Sequence, residues 1–302
     1  MCSDTAATAG TVDAHIHLFP PDVREHRQRY LDRDPFFAHL YGSPRGSPRA
    51  GMVSVEQAIA EMDRDGVEKA VIAGWPWQAH DACVEHNTWA MAVAHQHPDR
   101  FAALAVIQPA AGQAAVREME RCLDGGMAGV GELNADGQGF RLDSSGAMTV
   151  ARVCAERGAP LLLHTNEPVG HVYPGKGTLS LAAIYGFIRA VPELRLVLAH
   201  WGGGLPFYEL MPEVRRAAAN VCYDTAASPL LYEPRVFRMV LEMVGAQKVV
   251  FGSDYPLNLY PGSGGKPGFR RFMNGVRSLD LGAEAESSVL GGNARRVFQL
   301  GS

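Results

Sequence analysis

No apolar run in this chain is long enough to cross a bilayer as a helix, so no membrane span is expected. The first ten residues, Met1 to Gly10, carry neither a basic segment nor an apolar one, and no signal peptide is expected either. Charge of one sign is also missing: 28 Lys and Arg against 32 Asp and Glu leave a formal charge of −4. That balance offers no basic face to nucleic acid and no polybasic stretch to anionic lipid, leaving a small molecule as the expected partner. Cysteine is sparse and odd in number. Cys2, Cys83, Cys122, Cys154 and Cys222 lie far apart and include no Cys-x-x-Cys, which argues against a disulfide framework and a thiolate zinc site. Reduced thiols in a cytoplasmic protein are the reading that fits. Finally, no Gly-x-Gly-x-x-Gly follows the first apolar segment, as a dinucleotide-binding sheet would require.

What the chain does have is alternation. After a first apolar stretch at Val12–Leu18, short aliphatic runs recur at 69–74, 101–107, 128–133, 160–164, 195–200, 221–224 and 248–253. Between them lie helical patterns at 80–97, 112–124, 144–157, 178–190, 206–218 and 234–244, most of them stopped by Gly or Pro, with further helices at 267–279 and 283–299. Ser54 with Gln57 reads as a capping box opening a helix that ends near Gly66. Eight continuous apolar strands alternating with helices indicate a parallel sheet covered on its outside, and eight units in about 250 residues fit a closed (β/α)₈ barrel. We therefore expect one α/β TIM-barrel domain over 1–302. Residues 18–53, with five prolines and the cluster Phe36, Phe37, Leu40 and Tyr41, form a long irregular insertion after the first strand, a lid or specificity segment.

Chemistry in such a barrel belongs at the C-terminal ends of the strands. There stand His15 and His17 on strand one, Glu132 on strand four, His164 on strand five, His200 on strand six and Asp254 on strand eight, each directly after aliphatic residues. Singly, a histidine there is more often a hydrogen-bonded structural residue and an aspartate more often a helix cap. Together they converge on one small mouth, where imidazoles and carboxylates facing each other without a cation would cost several kcal/mol. A divalent metal removes that cost.

At this point the sequence resembles a known family. His15-Ile16-His17, His164, His200 followed by Trp201-Gly202-Gly203-Gly204, Gly252-Ser253-Asp254-Tyr255-Pro256 and the terminal Leu290–Phe298 are similar to the signature of the amidohydrolase superfamily. More narrowly they resemble its amidohydrolase-related branch, which includes aminocarboxymuconate-semialdehyde decarboxylase. The resemblance runs from residue 12 to 298. It implies that His15, His17, His164 and Asp254 hold a metal, most often zinc with manganese as the alternative, which activates a water. It further implies that Asp254 takes and passes on the proton, that His200 orients the water or polarises a carbonyl, and that the protein is a homodimer.

Glu132 departs from the decarboxylase-like pattern, because Gly129-Val130-Gly131-Glu132-Leu133 looks more like branches in which a glutamate bridges two metals. One ion is expected, and a second through Glu132 is the alternative, as is a role for Glu132 in orienting a ligand. Candidate substrate contacts are Trp75 after strand two, His171, Tyr173 and Lys176 after strand five, and Trp201 after strand six. The leading expectation is a metal-dependent hydrolase of a small carbonyl compound. The alternative is a non-oxidative decarboxylase using the same ligands.

Overall fold

A computed structural model of the chain describes residues 10–42, 51–173, 175–257 and 268–301. Eight strands appear: β1 (Thr11–Ile16), β2 (Val67–Ile72), β3 (Phe101–Ala105), β4 (Gly129–Leu133), β5 (Leu161–Leu163), β6 (Leu196–Leu198), β7 (Val221–Asp224) and β8 (Val249–Val250). They pair in sequence order and every pairing is parallel. The seam between β8 and β1 is closed just past the short last strand. Ala14 N donates to Phe251 O (2.9 Å), Asp254 N to His15 O (2.9 Å) and His17 N to Tyr255 O (2.7 Å). The buried Asp13 carboxylate crosses the same seam, accepting from His15 N (3.0 Å) and Ser253 N (3.1 Å). This is a (β/α)₈ barrel.

The strands are apolar on both faces because both faces are covered. Val12, Ala14, Val71, Leu104, Leu162, Val197 and Val250 meet inside the cylinder, while Ile72, Phe101, Val130, Leu161 and Leu196 pack outward against the helices. Helix Val55–Asp65 opens on the expected capping box, Ser54 Oγ accepting from Gln57 N (3.1 Å) and Ser54 N donating to Gln57 Oε1 (2.8 Å). It ends where Gly66 takes φ +80°. The expected helix over 206–218 is instead two pieces, Leu205–Tyr208 and Pro212–Ala217, because Pro212 cannot continue a helix and starts a new one.

The segment after β1 is more regular than its prolines suggest. It contains three short helices, Pro21–Glu25, Arg27–Arg33 and Pro35–Tyr41. Pro21 and Pro35 stand at first helical positions, where the missing N–H costs nothing, and the Asp34 carboxylate caps the third helix through Phe37 N (2.8 Å). Residues 43–50 of the expected insertion lie outside the described residues. Among the described residues no helix is long and apolar enough to cross a membrane.

Candidate metal centre

The barrel rim brings all six strand-end residues together. His15 and His17 present their Nε2 atoms 3.2 Å apart. Asp254 Oδ1 lies 3.2 Å from His17 Nε2 and 3.9 Å from His15 Nε2. Glu132 sits in the middle: Oε2 is 3.7 Å from His15 Nε2 and 3.6 Å from His17 Nε2, and Oε1 is 2.9 Å from His164 Nδ1 and 3.7 Å from His200 Nε2. His200 Nε2 and His164 Nδ1 are 3.2 Å apart.

The backbone turns sharply to aim these groups. His200 and Asp254 both take positive φ, +54° and +66°, directly after their strands. Left-handed backbone at non-glycine residues costs about 1–3 kcal/mol and persists where surrounding structure enforces it. After His200 the chain stays left-handed through Gly204. Glycine is required there on space as well as on φ: a Cβ on Gly203 would meet Asn166 O at 2.4 Å and one on Gly202 the Tyr223 ring at 2.8 Å.

Three of the imidazoles are held from behind. His15 Nδ1 donates to Asp224 Oδ2 (2.7 Å), His17 Nδ1 to Gly74 O (2.6 Å) and His200 Nδ1 to Ala226 O (3.1 Å). Each of these bonds fixes the tautomer and turns a bare Nε2 lone pair toward the cluster. Asp224 also fixes the turn after β6, its Oδ1 accepting from His200 N (2.8 Å) and Ala226 N (3.0 Å). The strand-end reading passed over Asp224, which contacts two residues of the cluster, although β7 (Val-Cys-Tyr-Asp) ends on an acid just as the β8 run does.

Bare imidazole lone pairs facing one another and two carboxylates, with no Lys or Arg among the described cavity-lining residues, is a donor set that fits a divalent cation. The titration behaviour of the cluster agrees. Burial alone would keep Glu132 protonated, but the His164 and His15 imidazoles hold its carboxyl well below the usual range. Burial is likewise outweighed at Asp254, where the His17 hydrogen bond and the charges of His15, His17 and His200 bring the carboxyl to about 2. Burial opposes charge on His200, yet the Glu132 carboxylate 3.7 Å from its Nε2 and the nearby Asp254 and Asp224 carboxylates push it up to about 9. Protons on imidazoles thus balance the carboxylates, and a divalent cation supplies the same positive charge with the imidazoles neutral.

Above the cluster lies a cavity of about 120 Å³, close to the roughly 150 Å³ that accommodates one benzene molecule. His17, Glu132, His164, His200 and Asp254 line its polar end, and Phe36, Leu40, Tyr41, Trp75, Leu230, Leu231 and Leu257 its apolar wall. The helix Pro35–Tyr41 therefore contributes Phe36, Leu40 and Tyr41 to the cavity wall.

The expected substrate contacts divide. Trp75 and Tyr173 line the cavity, Trp75 stacked on Phe36 with ring centroids 5.5 Å apart. Trp201 does not: it is buried against Phe237, donates to Ser228 Oγ (2.7 Å) and points outward, because the left-handed turn after β6 reverses its direction. His171 is exposed and packs on Tyr173, away from the cavity lining. The Lys176 ammonium is used within its own loop, donating to Val169 O (2.7 Å) and His171 O (3.1 Å). That loop is tied down by Asp136, which accepts from Thr178 Oγ1 (2.6 Å) and from Thr178 N (2.8 Å) and Leu179 N (3.0 Å).

A closed parallel barrel with imidazoles and carboxylates at its C-terminal rim defines a barrel enzyme with a site suited to a divalent metal. The chain belongs to the amidohydrolase family, whose model matches residues 12–300. It is 22% identical over 286 residues to 2-amino-3-carboxymuconate-6-semialdehyde decarboxylase of Dictyostelium discoideum, a match covering 80% of this chain and 76% of that protein. Its fold is similar to that of 5-carboxyvanillate decarboxylase from Sphingomonas paucimobilis, with TM-score 0.72 at 19% identity over 97% of this chain and 99% of the other. It is also similar to the 5-carboxyvanillate decarboxylase of Novosphingobium aromaticivorans solved with manganese and 4-hydroxy-3-methoxy-5-nitrobenzoic acid. There the TM-score is 0.76 at 17% identity, over 97% of each chain.

Proposed function

We propose that this protein is a metal-dependent, non-oxidative decarboxylase of a small planar carboxylic acid, aromatic or muconate-like. The observation that carries the reading is the single-ring-sized apolar cavity set directly against the histidine–carboxylate cluster. In non-oxidative decarboxylation the bond to the carboxylate carbon breaks, its electron pair stays on the substrate carbon, CO₂ leaves and one proton is added. Charge disperses along that path, so apolar walls penalise the carboxylate reactant more than the transition state. The decarboxylases it resembles over most of their length support the reading, as does the manganese bound in one of them.

His15, His17, His164, Asp254 and Glu132 would hold the cation, and a mixed imidazole–carboxylate donor set suits manganese as well as zinc. When bound, the cation supplies a positive centre for the substrate's oxygens. Trp75 and Phe36 would hold the planar body of the substrate. Asp254 would relay a proton to the carbon that loses CO₂, a role supported by its side chain being the most exposed of the three acids, 16% against 5% for Glu132 and 1% for Asp224.

A second reading, hydrolysis of a carbonyl substrate by activated water, is favoured by one observation, the central position of Glu132 between two imidazole pairs. The deciding assay is CO₂ release by manganese-loaded protein from a panel of hydroxybenzoic, vanillic and muconate-type acids, run beside a panel of lactones and amides. Release from at least one acid is expected. Cleavage of a lactone or amide with no CO₂ from any acid would replace the decarboxylase with the hydrolase.

A further inference from the structure

Asn134 lines the cavity yet stands outside the histidine–carboxylate cluster. It follows Glu132 by two residues in extended backbone, φ −127° and ψ 107°. The two side chains therefore point the same way, and Asn134 lies about 7 Å nearer the mouth. The residue is 3% exposed. Its Oδ1 accepts from Gly137 N (2.8 Å) and so caps the short helix Ala135–Gln138. That bond settles which end of the amide is oxygen and leaves Nδ2 for the cavity. Nδ2 has no acceptor among the described residues, and it is not sealed in protein as the Trp75 indole nitrogen is. Capping alone does not call for an amide, because Asp or Ser serves a helix N-terminus equally well.

The turn that carries this donor is held by a lattice of glutamine amides. Gln138 Oε1 accepts from Asn134 N (3.1 Å), while Gln138 Nε2 donates to Trp77 O (3.2 Å) and Ile107 O (2.9 Å). Gln78 Nε2 donates to Gly137 O (2.7 Å), and Gln108 Nε2 to Gln78 O (2.8 Å) and Gln138 O (3.1 Å). These bonds lock the segments after β2, β3 and β4 to one another. Phe36, part of the apolar wall, packs on the same turn, where a Cβ on Gly137 would meet its ring at 2.7 Å. A donor fixed before the ligand arrives loses little freedom on binding, which is how a polar group in an apolar cavity selects among ligands.

We infer that Asn134 is a specificity-determining residue: its Nδ2 donates to a second oxygen on the planar body of the substrate, a hydroxyl, ether or carbonyl apart from the carboxylate that is lost. Gln138 is the positioning residue behind it. The inference rests on the planar-acid reading proposed above and adds a required substituent to it.

Calorimetric titration of the full-length, Mn²⁺-loaded protein with benzoate and with 2-, 3- and 4-hydroxybenzoate tests this. At least one hydroxybenzoate should bind about tenfold more tightly than benzoate, the worth of one neutral hydrogen bond. Asn134→Ser keeps a capping oxygen and removes the amide donor, so the preference should disappear while benzoate binds as before. Should that variant not fold, Asn134→Gly takes its place, since glycine also serves at a helix N-cap. Unaltered protein that binds no hydroxybenzoate better than benzoate overturns the inference. So does a variant that keeps the preference, including one that binds all four acids more weakly by the same factor. CO₂ release from an acid whose affinity ignores the substitution would remove Asn134 and keep the decarboxylase. A hydroxyl preference lost in the variant, with no CO₂ from any acid, would do the reverse.

Discussion

Two buried acids in this barrel make an instructive pair. Glu118, on the outer helix Gln113–Asp124, is fully served by protein groups. Arg121 grips both its oxygens (2.7 and 2.8 Å), and Asn87 Nδ2 (2.9 Å) and Cys122 Sγ (3.3 Å) donate to the same carboxylate. Glu132, at the rim, has no Arg or Lys partner among the described residues and faces imidazoles there. Both are held below the ordinary carboxylate range, yet for opposite reasons. At Glu118 burial is overcome by a permanent guanidinium and neutral donors, while at Glu132 it is overcome by imidazoles that are positive only while protonated. A buried charge with a permanent partner is architecture, and one whose partners can also be neutral donors is a place for a cation.

The contrast is broken most severely at Asp254. Asp254→Asn keeps the shape of the side chain and removes its charge and its capacity to relay a proton. Turnover should fall by about 10²–10⁴-fold, the range for losing a general acid–base group. The far-ultraviolet circular dichroism spectrum should be unchanged, because Asp254 contributes to the barrel seam through its backbone N–H, which Asn keeps. Activity within tenfold of the unaltered enzyme would remove Asp254 from the chemistry.

A smaller effect is expected one layer back. Asp224→Asn leaves His15 in place but weakens the charged partner of its Nδ1. Loss of such a partner typically lowers metal affinity by about 10–100-fold. Competition for Mn²⁺ against a chromogenic chelator measures this directly. An unchanged affinity would mean that the His15–Asp224 contact shapes the turn after β6 and nothing more.

The fold and the strand-end cluster of imidazoles and carboxylates were legible in the sequence for one reason: both are periodic. Apolar strands of similar length alternate with capped helices, and a polar residue directly after an aliphatic run stands out against its neighbours. Trp201 shows where that reading stops. Its position one residue after His200 suggested a place at the mouth, but a run of positive φ turns it outward, and no residue pattern other than three glycines announced that turn. Asp224 was hidden differently, since its work is done through His15 and His200, which are distant in sequence. Phe36 and Tyr41 sat in a segment whose prolines read as breakers although two of them start helices.

Glu118 provides the finest cut between the two acids. Asn87, which Glu118 orients, clamps the backbone just past β3 through Val106 N (2.8 Å) and Val106 O (2.9 Å), so Glu118→Gln loosens a structural tie outside the histidine–carboxylate cluster. The glutamine amide would turn an N–H₂ toward a neighbouring donor, and losing one partner of a buried hydrogen bond costs about 1–3 kcal/mol. At about 2–4 °C per kcal/mol in proteins of this size class, melting should drop by several degrees at pH 7. The pH dependence has a definite sign. Glu118 has a folded pKa below its unfolded value of about 4.3, so its stabilisation is complete above that value and is lost as pH falls through the folded one. The difference in melting temperature between variant and unaltered protein should therefore narrow as pH drops below about 4. Manganese content should stay at its unaltered level throughout, and a variant that instead lost metal at pH 7 would show that the two acids are coupled after all.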